Sequence, residues 1–328
     1  MDFAQEILQT PAVLADLAAG RGLGQTLALA AERLRAAAPA PILLTGMGSS
    51  HFAAHYGACL MEAAGLSALA LDTGDLVTCH PASIARLPVK VVISQSGRSA
   101  EVLDLVAGRS GGDTWIAVTN EPDSPLARAA DTVLALGAGA EEMTASKTFF
   151  ATLALLALLA DEAAGGSWHV SQEMAGEAED MAQALVGPLD APAAAVAEAV
   201  VAGGPLVLLG KSTALCAARQ GALILQEAAR ADAAAMTYGE WRHGPVERAR
   251  PGLTVVAVAP GPADPEAERV LAETSERGAA VLRLAAAEGA VPWRRPFAPT
   301  AALYRALLEV GRRRGSEVGR LAHKVTGR

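Results

Sequence analysis

The sequence predicts an α/β chain of two tandem doubly wound domains, each a parallel sheet flanked by helices. A glycine-rich pattern over residues 46–58 recurs over 210–222, an offset of 164 residues. Short apolar runs end at glycine or serine, and helical segments separate them. Strands that alternate with helices favour a parallel sheet covered on both faces. The repeat therefore predicts two such units.

Each element follows from a local pattern. Leucines at helical spacing predict helix over residues 2–38, which Pro39 ends. The apolar run 42–45 before Gly46 predicts a buried strand, and a helix follows from 49 to 64. Further strands are expected at 68–72, 89–94 and 114–119, with helices after Gly97 and after Ser124 and a buried helix over 149–160. The second unit opens with the run 206–209 before Gly210, and the repeat places residues 255–261 and 279–282 at the positions of 91–97 and 115–118.

These elements set the expected domain boundaries. We expect a helical lead-in over residues 1–38, a first domain over 39–166 that binds phosphate, a helical bridge over 167–200, and a second domain with a C-terminal tail over 201–328. A chain of 328 residues fits two ordinary domains.

Composition limits the possible partners. The formal net charge of −8 speaks against nucleic acid or an anionic membrane, because their phosphates would repel the chain overall. The 3 cysteines show no zinc or disulfide spacing. No signal peptide is evident, and the most apolar stretch is too short to span a bilayer. We expect a soluble cytoplasmic protein.

The first candidate site is the turn before the helix at 49–64. Small residues at Gly46 and Gly48 let the backbone approach an anion, and Ser49 and Ser50 add hydroxyl donors at the helix N-terminus. The alternative is that Ser49 simply caps the helix. The complete glycine fingerprint of a dinucleotide site is missing, because His51 stands at its third position.

A second polar turn favours phosphate binding over capping. Ser94, Gln95, Ser96 and Ser99 surround Gly97 between a predicted strand and helix. A cap needs only one such hydroxyl, whereas ligands bind at the carboxyl ends of parallel strands. Two helix N-termini would converge there on one anion.

A third polar segment precedes the apolar helix at 149–160. Ser146 and Thr148 are candidates to cap that helix or to contact the ligand. Lys147 is a candidate to pair with a phosphate or with a carboxylate such as Glu141. The alternative for Lys147 is an ordinary solvated charge.

The second half supplies ionisable groups instead of serines. Glu227 interrupts an apolar helix segment over 222–229, and a buried carboxylate suits proton transfer near neutral pH. The alternative is an exposed glutamate on a helix face. His243 precedes Gly244 and Pro245, a pair that favours a turn, and imidazole exchanges protons near pH 7. Lys324 lies almost at the chain end, where the alternative is a basic tail.

Together these motifs resemble the sugar isomerase (SIS) domain family. The chain is most similar to the tandem-SIS isomerase half of glutamine–fructose-6-phosphate transaminase and to stand-alone aminosugar-phosphate deaminases and deglycases. The resemblance covers nearly the whole chain and rests on five motifs: GMGSS at 46–50, SQSG at 94–97, SKT at 146–148, QE at 226–227 and GEWRHGP at 239–245.

The resemblance implies roles for individual residues. A sugar phosphate would be held by Gly48, Ser49, Ser50, Ser94, Gln95, Ser96, Ser99 and Ser146. Glu227 would move a proton between the first two sugar carbons, and His243 would help open the sugar ring in the site of a neighbouring subunit. Lys324, or His323 beside it, would meet the substrate carbonyl.

Three departures bear on the reaction. No cysteine-nucleophile glutaminase segment precedes the first repeat, so we do not expect glutamine to supply ammonia within this chain. Ile224 and Gln220 stand where the transaminase has a catalytic lysine and a second glutamate. Around 242–245 the chain is more similar to the fructosamine-phosphate deglycases.

We therefore expect an enzyme that opens a phosphorylated ketose, aldose or amino sugar and transfers a proton between C1 and C2. Isomerisation or amine release would follow, and acid–base chemistry alone implies no metal or organic cofactor. We also expect a homodimer, because His243 acting in trans would leave a single subunit incomplete. The alternative is a non-catalytic sugar-phosphate sensor that binds without turnover. Paired ionisable groups favour the enzyme.

Overall fold

The computed structural model describes residues 2–20, 22–109, 111–142, 144–261 and 264–319, which form two compact units. The N-terminal sheet unit contains Gln9–Glu141 and Ala145–Glu179. The C-terminal sheet unit contains residues 2–8, Glu142, Thr144, and residues 180–261 and 264–319.

The N-terminal sheet unit is built on five parallel strands in the order β2-β1-β3-β4-β5. The strands are β1 (Ile42–Gly46), β2 (Ala68–Asp72), β3 (Val89–Ile93), β4 (Thr114–Thr119) and β5 (Thr132–Ala135). Every residue of β1 and β3 is buried, as expected for central strands covered by helices on both faces. Leu44 lies beside Val91 in the register of β1 and β3.

Helices cover this sheet. They are α2 (Thr10–Ala18), α3 (Gly24–Ala36), α4 (Ser49–Ala63), α5 (Thr73–Cys79), α6 (Pro81–Arg86), α7 (Ala100–Ala107), α8 (Pro125–Ala129) and α9 (Lys147–Ala163). The boundary between the units falls within α10 (Val170–Val186). Nearly every side chain of α9 is buried, so it is the central helix of the unit.

The C-terminal sheet unit has four parallel strands in the order β7-β6-β8-β9. The strands are β6 (Leu206–Gly210), β7 (Ala233–Thr237), β8 (Thr254–Val258) and β9 (Ala280–Leu284). Its helices are α1 (Phe3–Ile7), α11 (Ala191–Ala202), α12 (Leu215–Ala229), α13 (Tyr238–Arg242), α14 (Pro265–Glu276) and α15 (Phe297–Arg314), with 3₁₀ turns at Ser212–Ala214 and Pro245–Arg248.

The same packing contact recurs in both units at the offset of the sequence repeat. A Cβ on Gly57 would lie 2.7 Å from Leu44 Cδ2, and a Cβ on Gly221 would lie 2.9 Å from Leu208 Cδ2. Only glycine lets the helix after the first strand pack this closely on it. The predicted fold class, two doubly wound α/β units in tandem, is confirmed.

Two details differ from the sequence expectation. Residues 2–20 and 22–38 form three helices instead of one: residues 8 and 9 separate α1 from α2, and Gly20 and Gly22, with positive φ of 64° and 76°, lie between α2 and α3. Strands β5 and β7 were not expected from the sequence. Within the described ranges, no single helix is long and apolar enough to cross a bilayer; α10 and α11, bent by 51°, meet that test only as a pair.

A buried ion pair ties β3 to the start of β4. Lys90 is fully buried, and its Nζ lies 2.7 Å from Asp113 Oδ2 and 2.6 Å from the Leu87 carbonyl oxygen. Trp115 Nε1 donates to the same Asp113 oxygen at 2.5 Å. Burial raises the pKa of Asp113, but the hydrogen bonds from Lys90 and Trp115 outweigh it and hold that pKa below its usual value.

Candidate functional site

The strand order of the N-terminal sheet unit creates a crevice between β1 and β3. Strand β2 lies on one side of β1 and β3 on the other, so the connections that follow β1 and β3 leave the sheet in opposite directions. Ligands of open α/β sheets bind at such switch points, outside the carboxyl ends of the strands. Both serine-rich turns predicted from the sequence begin at this crevice, after Gly46 and after Ile93.

The first turn brings the backbone close to the crevice. A Cβ on Gly46 would lie 2.7 Å from the carbonyl carbon and Cβ of Ser50, so the strand end and the helix start touch. Gly48, exposed and with φ of 51°, is the N-cap residue of α4 and supplies no side-chain cap. Ser49 and Ser50 are half-buried in the first turn of α4. The expected alternative, capping by Ser49, is therefore wrong, because Ser49 already lies within the helix.

The second turn uses two of its serines to hold its own shape. Ser94 is buried and its Oγ accepts a hydrogen bond from the Gly97 amide at 3.1 Å. Ser96 Oγ accepts from the Arg98 amide at 3.3 Å. The Gln95 carbonyl oxygen accepts from the Asn120 amide at 3.0 Å. These three hydrogen bonds hold the shape of the turn.

Ser99 differs from Ser94 and Ser96, because its hydroxyl does not help to hold the turn. It is the N-cap residue of α7, but its side chain makes no capping bond. Its Oγ is shielded from solvent and has no hydrogen-bond partner among the residues that the structure describes. A buried hydroxyl without a partner costs free energy, and a bound phosphate oxygen at the N-terminus of α7 would satisfy it.

The third polar segment serves the start of α9. Ser146 is fully buried; its amide and Oγ donate to Glu141 Oε1 at 3.0 and 2.8 Å. The amide of Thr148 donates to the same Oε1 at 3.1 Å, and its hydroxyl donates to Glu141 Oε2. Glu141, not Ser146 or Thr148, therefore caps this helix. The Ser146 hydroxyl donates to Glu141 in this structure, and its predicted contact with the ligand stays a prediction.

The surroundings of Lys147 contradict two interpretations from the sequence, the solvated charge and the pair with Glu141, whereas pairing with a phosphate stays a prediction. Lys147 is 1% exposed, so it is not a solvated charge. Its Nζ donates to Gln9 Oε1 at 2.5 Å and not to Glu141. The side chain therefore links the start of α9 to the residue that precedes α2.

In the C-terminal sheet unit, Glu227 lies near the end of α12. It is half-buried, so the expectation of a buried carboxylate is only partly met. The hydroxyl of Thr144, a buried residue of the same unit, donates to Glu227 Oε2. One oxygen of the carboxylate is thus held, while the side chain stays partly exposed. This partner was not expected from the sequence, which gives no local signal for a contact across 83 residues.

His243 stands on a turn built by its neighbours. Glu240 and Thr237 form a capping box at the start of α13, and the hydrogen bonds from Thr237 hold the pKa of Glu240 below its usual value. Trp241 is fully buried, and its Nε1 donates to Thr274 Oγ1 at 2.9 Å. His243 follows as the exposed C-cap residue. The motif therefore fixes its backbone and presents its imidazole to solvent. Lys324 and His323, the remaining predicted catalytic candidates, lie outside the described residues.

Comparison with known proteins identifies a sequence family for part of the chain. The model of the SIS domain matches residues 38–161. The glutamine–fructose-6-phosphate aminotransferase [isomerizing] of Bradyrhizobium diazoefficiens is 29% identical over 308 residues, which cover 88% of this chain and 49% of that protein. The chain thus spans about half the length of the curated relatives it matches.

Solved structures share the fold over nearly the full length. The tagatose-6-phosphate ketose/aldose isomerase of Escherichia coli has a TM-score of 0.78 at 20% identity, covering 98% of this chain and 96% of its own. The glucosamine-6-phosphate deaminase of Thermotoga maritima has a TM-score of 0.70 at 21% identity, covering 97% and 99%. Residues 38–161 therefore match the SIS-domain family, and the paired sheets have the fold of these solved structures over nearly the full length of the chain.

Proposed function

We propose that the chain is an enzyme that acts on a phosphorylated amino sugar or ketose. The observation that carries the proposal is the crevice between β1 and β3, where the two serine-rich turns meet and the Ser99 hydroxyl has no partner among the described residues. Such a crevice suits a phosphate group, because helix N-termini and hydroxyl donors converge there. The likeness to an aldose–ketose isomerase and to an aminosugar-phosphate deaminase supports the same substrate class.

The proton transfer is assigned to Glu227. In the open-chain sugar, its carboxylate removes the proton from one of the two carbons C1 and C2 and returns it to the other, through an enediol or enolamine. A ketose and an aldose interconvert in this way. When the substrate carries an amine, the resulting imine takes up water and releases the amine. A half-buried carboxylate with one oxygen held by Thr144 supports this role.

Ring opening is assigned to His243. Its exposed position at the end of α13 supports a role outside its own subunit, and we propose a homodimer in which it serves the neighbouring site. Mixing inactive His243→Ala with inactive Glu227→Gln protein tests this assignment. If His243 acts in trans, mixed dimers regain activity, since one of their two sites has both groups intact. No recovery despite confirmed subunit exchange would contradict it.

A turnover assay against hexose and amino-sugar 6-phosphates, with ammonia and product sugar both followed, tests the function. Amine release would indicate a deaminase or deglycase, and aldose–ketose interconversion without release an isomerase. Thermal stabilisation by a sugar phosphate without turnover would contradict the enzyme and favour a sensor.

A further inference from the structure

Thr144 connects two parts of the C-terminal sheet unit. It is 2% exposed. Its hydroxyl donates to Glu227 Oε2, and its backbone amide donates to the carbonyl oxygen of Gly319 at 3.0 Å. Gly319 precedes Lys324 by five residues in the sequence. One buried residue thus touches both the proposed base and the start of the segment that carries a second proposed catalytic group.

The position of Thr144 does not depend on Glu227. The Glu142 amide donates to Oε1 of Glu6 at 2.7 Å, and Glu6 is fully buried on α1. Gly319 has a φ of 88°, and a Cβ there would lie 2.6 Å from Phe3 Cβ. Helix α1 therefore fixes the chain on both sides of the contact. Contacts other than the bond to Glu227 therefore hold the backbone beside Thr144.

The chemistry of the pair sets the direction of the hydrogen bond. An ionised carboxylate only accepts hydrogen bonds, so the Thr144 hydroxyl must donate its single proton to Oε2. That bond restricts rotation of the carboxylate. In the part of the chain that the structure describes, Oε1 of Glu227 accepts no hydrogen bond, so Oε1 is the oxygen that can take a substrate proton.

We propose that Thr144 is the positioning residue of Glu227: it holds Oε2, aims Oε1, and couples the carboxylate to the chain at Gly319. The inference rests on the proposed function, because it assigns the proton transfer to Glu227. A merely structural Thr144 would instead tie two segments together without affecting the carboxylate. The two roles differ in which measured quantities respond to loss of the hydroxyl.

Thr144→Val removes the hydroxyl and keeps the shape, whereas Thr144→Ser restores the donor. Thr300→Val is the matched control, because this buried residue of the same unit donates only to its own helix at the Pro296 carbonyl oxygen. We expect Thr144→Val to lower kcat by roughly tenfold to a hundredfold with KM nearly unchanged. Thr144→Ser should recover most of kcat, and Thr300→Val should keep it. Unchanged kcat in Thr144→Val would overturn the proposal.

A second readout does not require turnover. Carboxyl carbons of ¹³C-labelled glutamate are followed by NMR at one fixed pH, and the signal missing from Glu227→Gln assigns Glu227. Because the hydroxyl donates to Oε2, the chemical shift of this signal should change in Thr144→Val and return in Thr144→Ser. An equal chemical shift in all three proteins would overturn the positioning role. A changed chemical shift in a protein that turns over no sugar phosphate would support the positioning role and contradict the proposed function.

Discussion

Lys211 Nζ lies 3.0 Å from Asp264 Oδ2, at the carboxyl end of β6 in the C-terminal sheet unit. Glu266 Oε2 lies 3.4 Å from the same nitrogen. Hydrogen bonds to the two carboxylates raise the pKa of Lys211, and the bond from Lys211 lowers that of Asp264. This position corresponds by the repeat to the crevice of the other unit, but here two carboxylates face the cation. A phosphate would be repelled.

We therefore expect Lys211→Ala to leave sugar-phosphate affinity unchanged. The Lys211 side chain is exposed, so loss of the ion pair should also change stability little. Calorimetric titration with fructose 6-phosphate and glucosamine 6-phosphate measures the affinity. Weakening by about tenfold or more, which corresponds to about 1.4 kcal/mol, would mean that the second unit also binds phosphate.

Ser99→Ala should separate binding from stability. The hydroxyl is shielded and without a partner among the described residues, so its removal should leave the free energy of unfolding equal or slightly higher. The same change should weaken sugar-phosphate binding roughly tenfold, because the ligand loses a hydrogen bond. Ser167→Ala, at an exposed serine, is the control. Unchanged affinity in Ser99→Ala would remove this residue from the site.

Gly97 tests the shape of the second turn. Its φ is 59°, and a Cβ there would lie 2.1 Å from Ser124 Oγ and 2.6 Å from Ser124 Cβ. Gly137 has nearly the same φ, 62°, but nothing within 4 Å of an added Cβ. We expect Gly137→Ala to cost about 1 kcal/mol of unfolding free energy from backbone strain and Gly97→Ala about 2 kcal/mol more. Denaturant unfolding measures both. Equal losses of unfolding free energy in the two variants would show that Ser124 moves away from the added Cβ at little cost.

The pair of Lys90 and Asp113 predicts a loss of stability in acid. The pKa of Asp113 lies below its usual value of 3.8 in the folded protein. Its ionised form therefore stabilises the fold above that value, and this contribution is lost as pH falls through the lower folded pKa. Lys90→Met should lower unfolding free energy at pH 7 by about 3 kcal/mol and flatten the acid dependence, because the aspartate loses its buried partner.

Arg277→Met is the control for this comparison, since its ion pairs with Glu247 and Glu273 are exposed. It should change stability by less than about 1 kcal/mol. Unfolding curves from pH 7 to pH 2 measure the effect. If the unfolding free energy of Lys90→Met falls in acid as steeply as that of the wild type, other carboxylates cause the acid dependence.

The two sheets could be predicted from the sequence because the patterns that indicate them are local and occur in both repeats. The glycines at 57 and 221 mark the same helix–strand contact in both units. Strand β7 was missed because it has no strong strand signal: residues 233–237 read AAAMT, with three alanines and no β-branched residue before Thr237. Strand β5 reads TVLA and was missed because a run of 4 residues is short for a strand.

The candidate site was predictable where it depends on strand ends and not where it depends on distant contacts. Ser94, Ser96 and Ser99 follow β3 directly, so parallel topology places them. The bond from Thr144 to Glu227 joins segments with no sequence relation. The capping of α9 by Glu141 was missed because the carboxylate reaches back from outside the usual cap position.

Proton exchange at the substrate carbon tests whether Glu227 transfers the substrate proton. Wild-type protein and Glu227→Gln are incubated with fructose 6-phosphate and glucosamine 6-phosphate in D₂O, and deuterium at C1 and C2 is followed by NMR. We expect the wild type to incorporate deuterium into at least one of these substrates. In Glu227→Gln, where a neutral amide replaces the base, we expect the rate of incorporation to fall by roughly a hundredfold or more. Incorporation at an equal rate in both proteins would contradict the role of Glu227. No incorporation into either sugar phosphate, although both bind the wild type, would contradict the enzyme itself.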